Sequence, residues 1–147
     1  GELPAESLLR VFDEVKSGRA DLCKTRRLRR HDGFFRKLLT FGYARVVRIF
    51  FGIITRDVNG YPVCMTRAAY ERLHLTKTDF TLSLEMLYRA KQHGFRVAEV
   101  AMPHRKRVGG TSHIRWYTSL IMLWELLKFW REVKLERSNE QEYIHKV

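Results

Sequence analysis

LEMLYRAKQHGFRVAEVAMPHRKRVGGTSH, residues 84–113, holds three kinds of chain in thirty positions. Its first part belongs to a helix predicted over 81–94, TLSLEMLYRAKQHG, which Gly94 closes. FRVAEVAM, 95–102, alternates in the manner of a strand. HRKRVGGTSH, 104–113, then sets three basic side chains against two glycines and two hydroxyl residues. A solvated loop and a grip for phosphate both fit that last segment. Glycines let backbone N–H groups approach an anion closely, and Arg gives two parallel charge-assisted hydrogen bonds.

The same alternation extends toward the N-terminus. Leu8, Leu9, Phe12 and Val15 have helical spacing, with Pro4 in the first turn and Gly18 as the stop. ADLCK, 20–24, reads as a short buried strand and TRRLRRHDG, 25–33, as a basic loop. Residues 34–52 predict a helix, DVNGYPVCMT (57–66) a turn followed by a strand, and RAAYERLHL (67–75) a short helix. Helices alternating with short strands make a layered α/β domain. The chain's 147 residues, 45% of them apolar, suffice for one real core. No internal repeat or low-complexity linker divides it.

A long helix is predicted from about Ile114 to Glu136, ending in a polar tail. Eleven of the fifteen residues 116–130 are apolar or aromatic, and three are tryptophans. Arg115, Glu125, Lys128 and Arg131 interrupt the run too often for a membrane span. Two readings stay open: a helix lying in a membrane interface, and a helix packed on the domain core or a partner.

The formal charge is +12, from 28 Lys and Arg against 16 Asp and Glu. Such an excess points to polyanionic partners: nucleic acid, an anionic membrane or phosphorylated small molecules. Cys23 and Cys64 have apolar neighbours and read as reduced core residues. No CxxC or HExxH spacing indicates a zinc site. The N-terminal GELPAESLL has neither the basic nor the apolar region of a signal peptide. Carboxylates that could serve as bases are Asp79, ahead of the strong helix, and Glu85, inside it. Glu85 sits among Leu84, Met86 and Leu87, so it is either a satisfied structural group or one with a raised pKa. Glu99, on the strand, reads as a structural partner for an Arg.

The order of the pieces carries a resemblance. ADLCKTR, then R-x-x-x-T in RKLLT, then DVNGYPVCMTRAAYERL, then the 84–113 run resemble the C-terminal half of a family-two glycosyltransferase with the GT-A fold. The pattern is most similar to the polyprenyl-phosphate (dolichol-phosphate) mannosyltransferase-like group and covers about residues 1–115. The implied fold is α/β: a partial GT-A (Rossmann-like) domain over 1–113, its acceptor-side half, followed by a long amphipathic helix and polar tail over 114–147.

The implied activity is inverting transfer of a sugar from a nucleotide-sugar donor to a polyprenyl phosphate or other acceptor, in glycan or cell-envelope biosynthesis. By the resemblance, Arg26, Arg36 and Thr40 hold the acceptor phosphate. Arg107, Gly110, Ser112 and His113 belong to a loop closing over donor and acceptor phosphates. A hydroxyl acceptor would need Asp79 or Glu85 as its base. GELPAE takes the place that follows the family's metal-binding Asp-x-Asp. Glu2 then lies near a Mg²⁺ or Mn²⁺ whose main ligands are expected upstream of Gly1. The 147 residues alone are expected to be inactive.

The expected location is cytoplasmic, at the inner face of a membrane, and nucleic acid is not among the expected partners. His113 stands where the family has Lys, Ala101 where it has Pro, and DVNGYP where it has D-x-x-S-G-F. The alternatives are a basic phosphate- or nucleic-acid-binding module and a non-catalytic membrane-associated scaffold.

Overall fold

The computed structural model describes residues 6–28, 34–103 and 116–146, with side chains for all of these except 34–40, 116, 117, 119, 137 and 139–146. Five helices and three strands follow in the order α1 (Glu6–Lys16), β1 (Leu22–Leu28), α2 (Phe34–Phe51), β2 (Val63–Met65), α3 (Arg67–Leu73), α4 (Leu82–Gln92), β3 (Val97–Pro103) and α5 (Trp116–Lys146). The sheet order is β2-β1-β3. β1 runs antiparallel to β2 and parallel to β3, with Leu22 opposite Val97 and Leu28 opposite Pro103. The chain is therefore α/β with a small mixed sheet.

Alternation along β1 divides the molecule into layers. Cys23 faces α1 in a small cluster with Val11 and Ala20, against which Val15, Cys64, Ala98 and Val100 pack. Leu22 faces the other way, into the main core, where Val47 and Phe51 of α2 meet Leu84 and Leu87 of α4 and Leu126, Phe129 and Val133 of α5. Phe51 stacks on Phe129, and Tyr88 meets both rings edge-on. Aromatic rings in these geometries add to what their buried area supplies.

Several expectations need correction. β1 does not stop at Lys24 but continues through Thr25–Leu28, because β3 offers a parallel partner along its whole length. Hydrogen-bonded pairing overrides the loop-like composition of TRRL. α1 buries Ser7 and Val11, while Leu8, Leu9 and Phe12 stay exposed. α5 reaches Lys146, so the polar tail is helical. Its face through Thr118, Leu126, Phe129 and Val133 is buried, whereas Leu120, Ile121, Leu123 and Trp124 are exposed. No helix among the described residues is long and apolar enough to cross a membrane.

β2 is short, and beyond it the segment 57–62 takes over as partner of β1. Thr25 N donates to Pro62 O at 3.1 Å, after a cis Tyr61–Pro62 bond, and Arg27 N donates to Asp57 Oδ2 at 3.2 Å. Gly60 is buried here, and a Cβ on it would collide with the backbone carbonyl of Thr25. Backbone on both sides leaves little room to yield. Gly60→Ala is accordingly expected to cost about 2 kcal/mol through overpacking. A urea unfolding curve measures this; an unchanged midpoint would mean that the segment moves aside freely.

Candidate functional site: the basic end of the parallel strand pair

In open α/β sheets, ligands collect at the carboxyl ends of parallel strands. Here those ends are Leu28 and Pro103, which are register partners. The two basic sequences that follow, beginning at Arg29 and at His104, thus start from adjacent strand ends. Arg26 lies two residues before the end of β1, opposite Ala101.

The three basic residues of β1 have different fates. Lys24 is fully buried. Its ammonium donates to the carbonyls of Asp57 and Val58, the latter at 3.3 Å, and pairs with Glu99 Oε1 at 3.4 Å. Burial lowers the Lys24 pKa, against the pull of Glu99 and Asp57. Arg27 clasps Asp57 with Nε and Nη2, both at 2.7 Å. Burial raises the Asp57 carboxyl, but the hydrogen bonds and charge of Arg27 outweigh it and hold the pKa below its ordinary value.

Arg26, between them, is half-buried, and its Nε is shut off from solvent with no hydrogen-bond partner. An unpaired buried donor costs about 1–3 kcal/mol. An anionic oxygen is the acceptor that satisfies a guanidinium most strongly. The hydroxyl of Tyr43 on α2 is likewise buried without a partner, and burial pushes its pKa up to about 12.

The carboxylates are spoken for. Glu85 has no exposed surface and accepts from Thr76 N and Oγ1, Lys77 N and Arg89 Nε, all within 3.2 Å. Burial raises its pKa, yet the hydrogen bonds from Lys77, Thr76 and Arg89 prevail and lower it. Of the two readings of Glu85, the satisfied structural group is the one the structure shows: it binds the turn ahead of α4 and is a poor proton acceptor. Asp79 is exposed and accepts from Thr81 Oγ1 at 2.6 Å and Thr81 N at 2.7 Å, bonds that depress its pKa. Both carboxylates therefore hold the entry to α4 and bond to nothing on β1. Glu99 pairs with Lys24 rather than with an arginine, and it accepts a hydrogen bond from the Thr55 hydroxyl.

Arg36 and Thr40 fall in the first turns of α2, with side chains outside the described residues. Glu2, Arg107, Gly110, Ser112 and His113 lie outside them altogether. Among the described residues, no three His, Cys, Asp or Glu side chains stand close enough together to hold a metal ion. The sequence reading missed Lys24, Thr55 and the Arg27–Asp57 clasp. A lysine inside the apolar run ADLCKT was the available signal, since a buried ammonium demands acceptors.

No protein-family model, curated protein or solved structure matches this chain.

The Glu85 network sets a pH dependence. A depressed folded pKa contributes stability above the unfolded value, about 4.3 for Glu, and loses it as pH falls through the folded one. Glu85→Gln should lower stability at pH 7 by roughly 2–3 kcal/mol, since charged hydrogen bonds are lost. It should also flatten the loss of stability below about pH 4. Chemical denaturation at stepped pH measures both; parallel curves for the two proteins would dismiss the network as a source of stability.

Proposed function

We propose that this chain supplies the acceptor side of a glycosyltransferase. The transferase moves a sugar from a nucleotide-sugar donor onto a polyprenyl phosphate with inversion at the anomeric carbon. The observation that carries the proposal is Arg26: a guanidinium with a buried, unpartnered donor, at the end of the parallel strand pair from which both basic segments depart. The order of sequence motifs supports it, since Arg26, Arg36 and Thr40 match the family's acceptor-phosphate positions.

The state of the carboxylates favours one acceptor class. A hydroxyl acceptor needs a base to take its proton, whereas a phosphate monoester is already anionic. Glu85 and Asp79 are committed to hydrogen bonds that depress their pKa values. In the proposed reaction a phosphate oxygen attacks the anomeric carbon, a new C–O bond forms, and the bond to the nucleoside diphosphate breaks. Arg26, with Arg36 and Thr40, orients the attacking phosphate. Arg107 and the Gly110–Ser112 segment supply donors to the phosphates from the other basic segment.

A lipid-linked acceptor calls for a membrane surface. α5 exposes Leu120, Ile121, Leu123 and Trp124, and α2, which packs on α5 through Phe50 and Trp130, exposes Phe41 and Ile49. Arg45 and Arg48 on α2 and Lys128 and Arg131 on α5 are exposed as well. Apolar and cationic side chains in this mixture suit the headgroup boundary of an anionic bilayer.

Two experiments bear on the proposal. Titration of the chain with farnesyl phosphate, followed by NMR, should show binding that Arg26→Ala weakens roughly ten- to hundredfold. The same substitution should leave the melting temperature unchanged or raised, because Arg26 Nε has no acceptor to lose. Equal affinity in both proteins would sink the acceptor role, and tight duplex DNA binding that farnesyl phosphate does not displace would favour the binding-module alternative. Separately, flotation with vesicles containing phosphatidylserine should carry the chain upward, and Trp124→Ser should reduce the bound fraction severalfold. A chain that stays at the bottom of the gradient refutes the surface assignment.

A further inference from the structure

Cys23 of β1 and Cys64 of β2 stand directly opposite each other in the antiparallel ladder. Two rungs away on either side, Thr66 N donates to Asp21 O at 3.0 Å and Thr25 N donates to Pro62 O at 3.1 Å. Hydrogen-bonded pairs alternate with non-bonded ones, so the Cys23–Cys64 rung is of the bonded kind. Its Cα atoms then lie about 5.5 Å apart. Disulfides span Cα separations of about 4.4–6.8 Å, but their Cβ atoms lie about 3.5–4.5 Å apart, closer than a bonded rung sets them, so closing the bond draws the two strands together and leaves it strained and readily reduced.

Both side chains point to the same face of the sheet and meet in the small cluster beneath α1. Both thiols are free, Cys23 buried and Cys64 half-buried. Cys23 has only a weak 4.0 Å contact to the carbonyl of Lys24 to give up.

We propose that Cys23 and Cys64 form a reversible disulfide with each other, with a low-molecular-weight disulfide such as oxidised glutathione as the oxidant. The difference in exposure orders the steps. The Cys64 thiolate attacks the oxidant, forming a mixed disulfide and releasing one glutathione thiolate. Cys23 then loses its proton to solvent, attacks the Cys64 sulfur and expels the second glutathione. Two protein thiols are oxidised, one oxidant disulfide is reduced, and the protons pass to water or the departing thiolates.

The second step is the slow one. Burial, followed by the charges of Glu14, Cys64 and Glu99, raises the Cys23 pKa to about 11, so its thiolate is scarce at neutral pH. The finished bond fastens β2 to β1 one residue before Lys24. It would thereby restrain the 57–62 segment that flanks the basic end of the sheet.

The test is oxidation of the reduced chain with oxidised glutathione, followed by non-reducing peptide mass spectrometry. Glutathionylated Cys64 should appear first and convert to a linked Cys23–Cys64 peptide pair. Conversion of the isolated adduct should speed up about tenfold per pH unit between pH 7 and 9, tracking the Cys23 thiolate. Cys23→Ala should stop at the adduct, and Cys64→Ser should give no linked peptide. A wild-type adduct that never converts, or disulfides only between separate chains, would overturn the proposal. The wild-type time course decides this even if a substitution in the buried cluster disturbs folding.

Discussion

A lysine ammonium with no access to water is the constraint around which this sheet is arranged. Lys24 sits at the centre of β1, where desolvating a charge is costly unless acceptors surround it. Those acceptors come from two different places. Asp57 and Val58 offer backbone carbonyls from the segment beside β2, and Glu99 offers its carboxylate from β3. Meeting the demand of one side chain thus fixes the distance of both flanking segments from the central strand. Glu99 is fixed in turn by the Thr55 hydroxyl, and Asp57 by Arg27. The ion pairs here orient rather than merely attract, which is the better-attested use of buried charge.

The period of two along a strand explains why Arg26 and Arg27 differ. Arg27 points to the side on which Asp57 closes the edge, and its fork is filled. Arg26 lies on the opposite face of the strand, and its buried Nε meets no acceptor among the described residues. Carboxylates neutralise only part of the large positive charge. Arg19, Arg67, Lys77, Arg89 and Arg96 all have carboxylates. The described acidic residues largely serve as structural acceptors for these cations and for backbone N–H groups.

Periodicity made α2, α3 and α4 legible, and Gly94 marked the end of α4 through a left-handed φ of 66°. It failed where pairing overruled composition. Residues 25–28 carry two arginines and look like a loop, yet parallel pairing with β3 makes them strand. In α1 the bulky residues suggested the buried side, but Ser7 and Val11 occupy the close approach to the sheet, where small side chains fit. Arg26 could be picked out by motif order, although its solitary Nε could not. The Lys24–Glu99 and Arg27–Asp57 pairs join residues far apart in sequence, and no local pattern encodes which carboxylate meets which cation. For Glu85, a charge among apolar neighbours was visible, but three of its four donors arrive from a turn whose path only tertiary structure defines, and only Arg89 lies on its own helix.

The sheet also has a built-in chronology. Lys24 and Asp57 are separated by 33 residues, whereas Asp21 and Arg96, at the start of the parallel pair, are 75 apart. A nascent chain emerging at about 5–20 residues per second leaves β1 without its long partner for several seconds. During that interval the antiparallel contact with β2 is available, but the other edge of β1 is bare and Lys24 lacks Glu99. An open edge on an incomplete sheet is the form most prone to pairing with a neighbouring chain. Bare cations on β1 at this stage repel a second copy of the same strand, so the residues that later face anions first keep unfinished molecules apart.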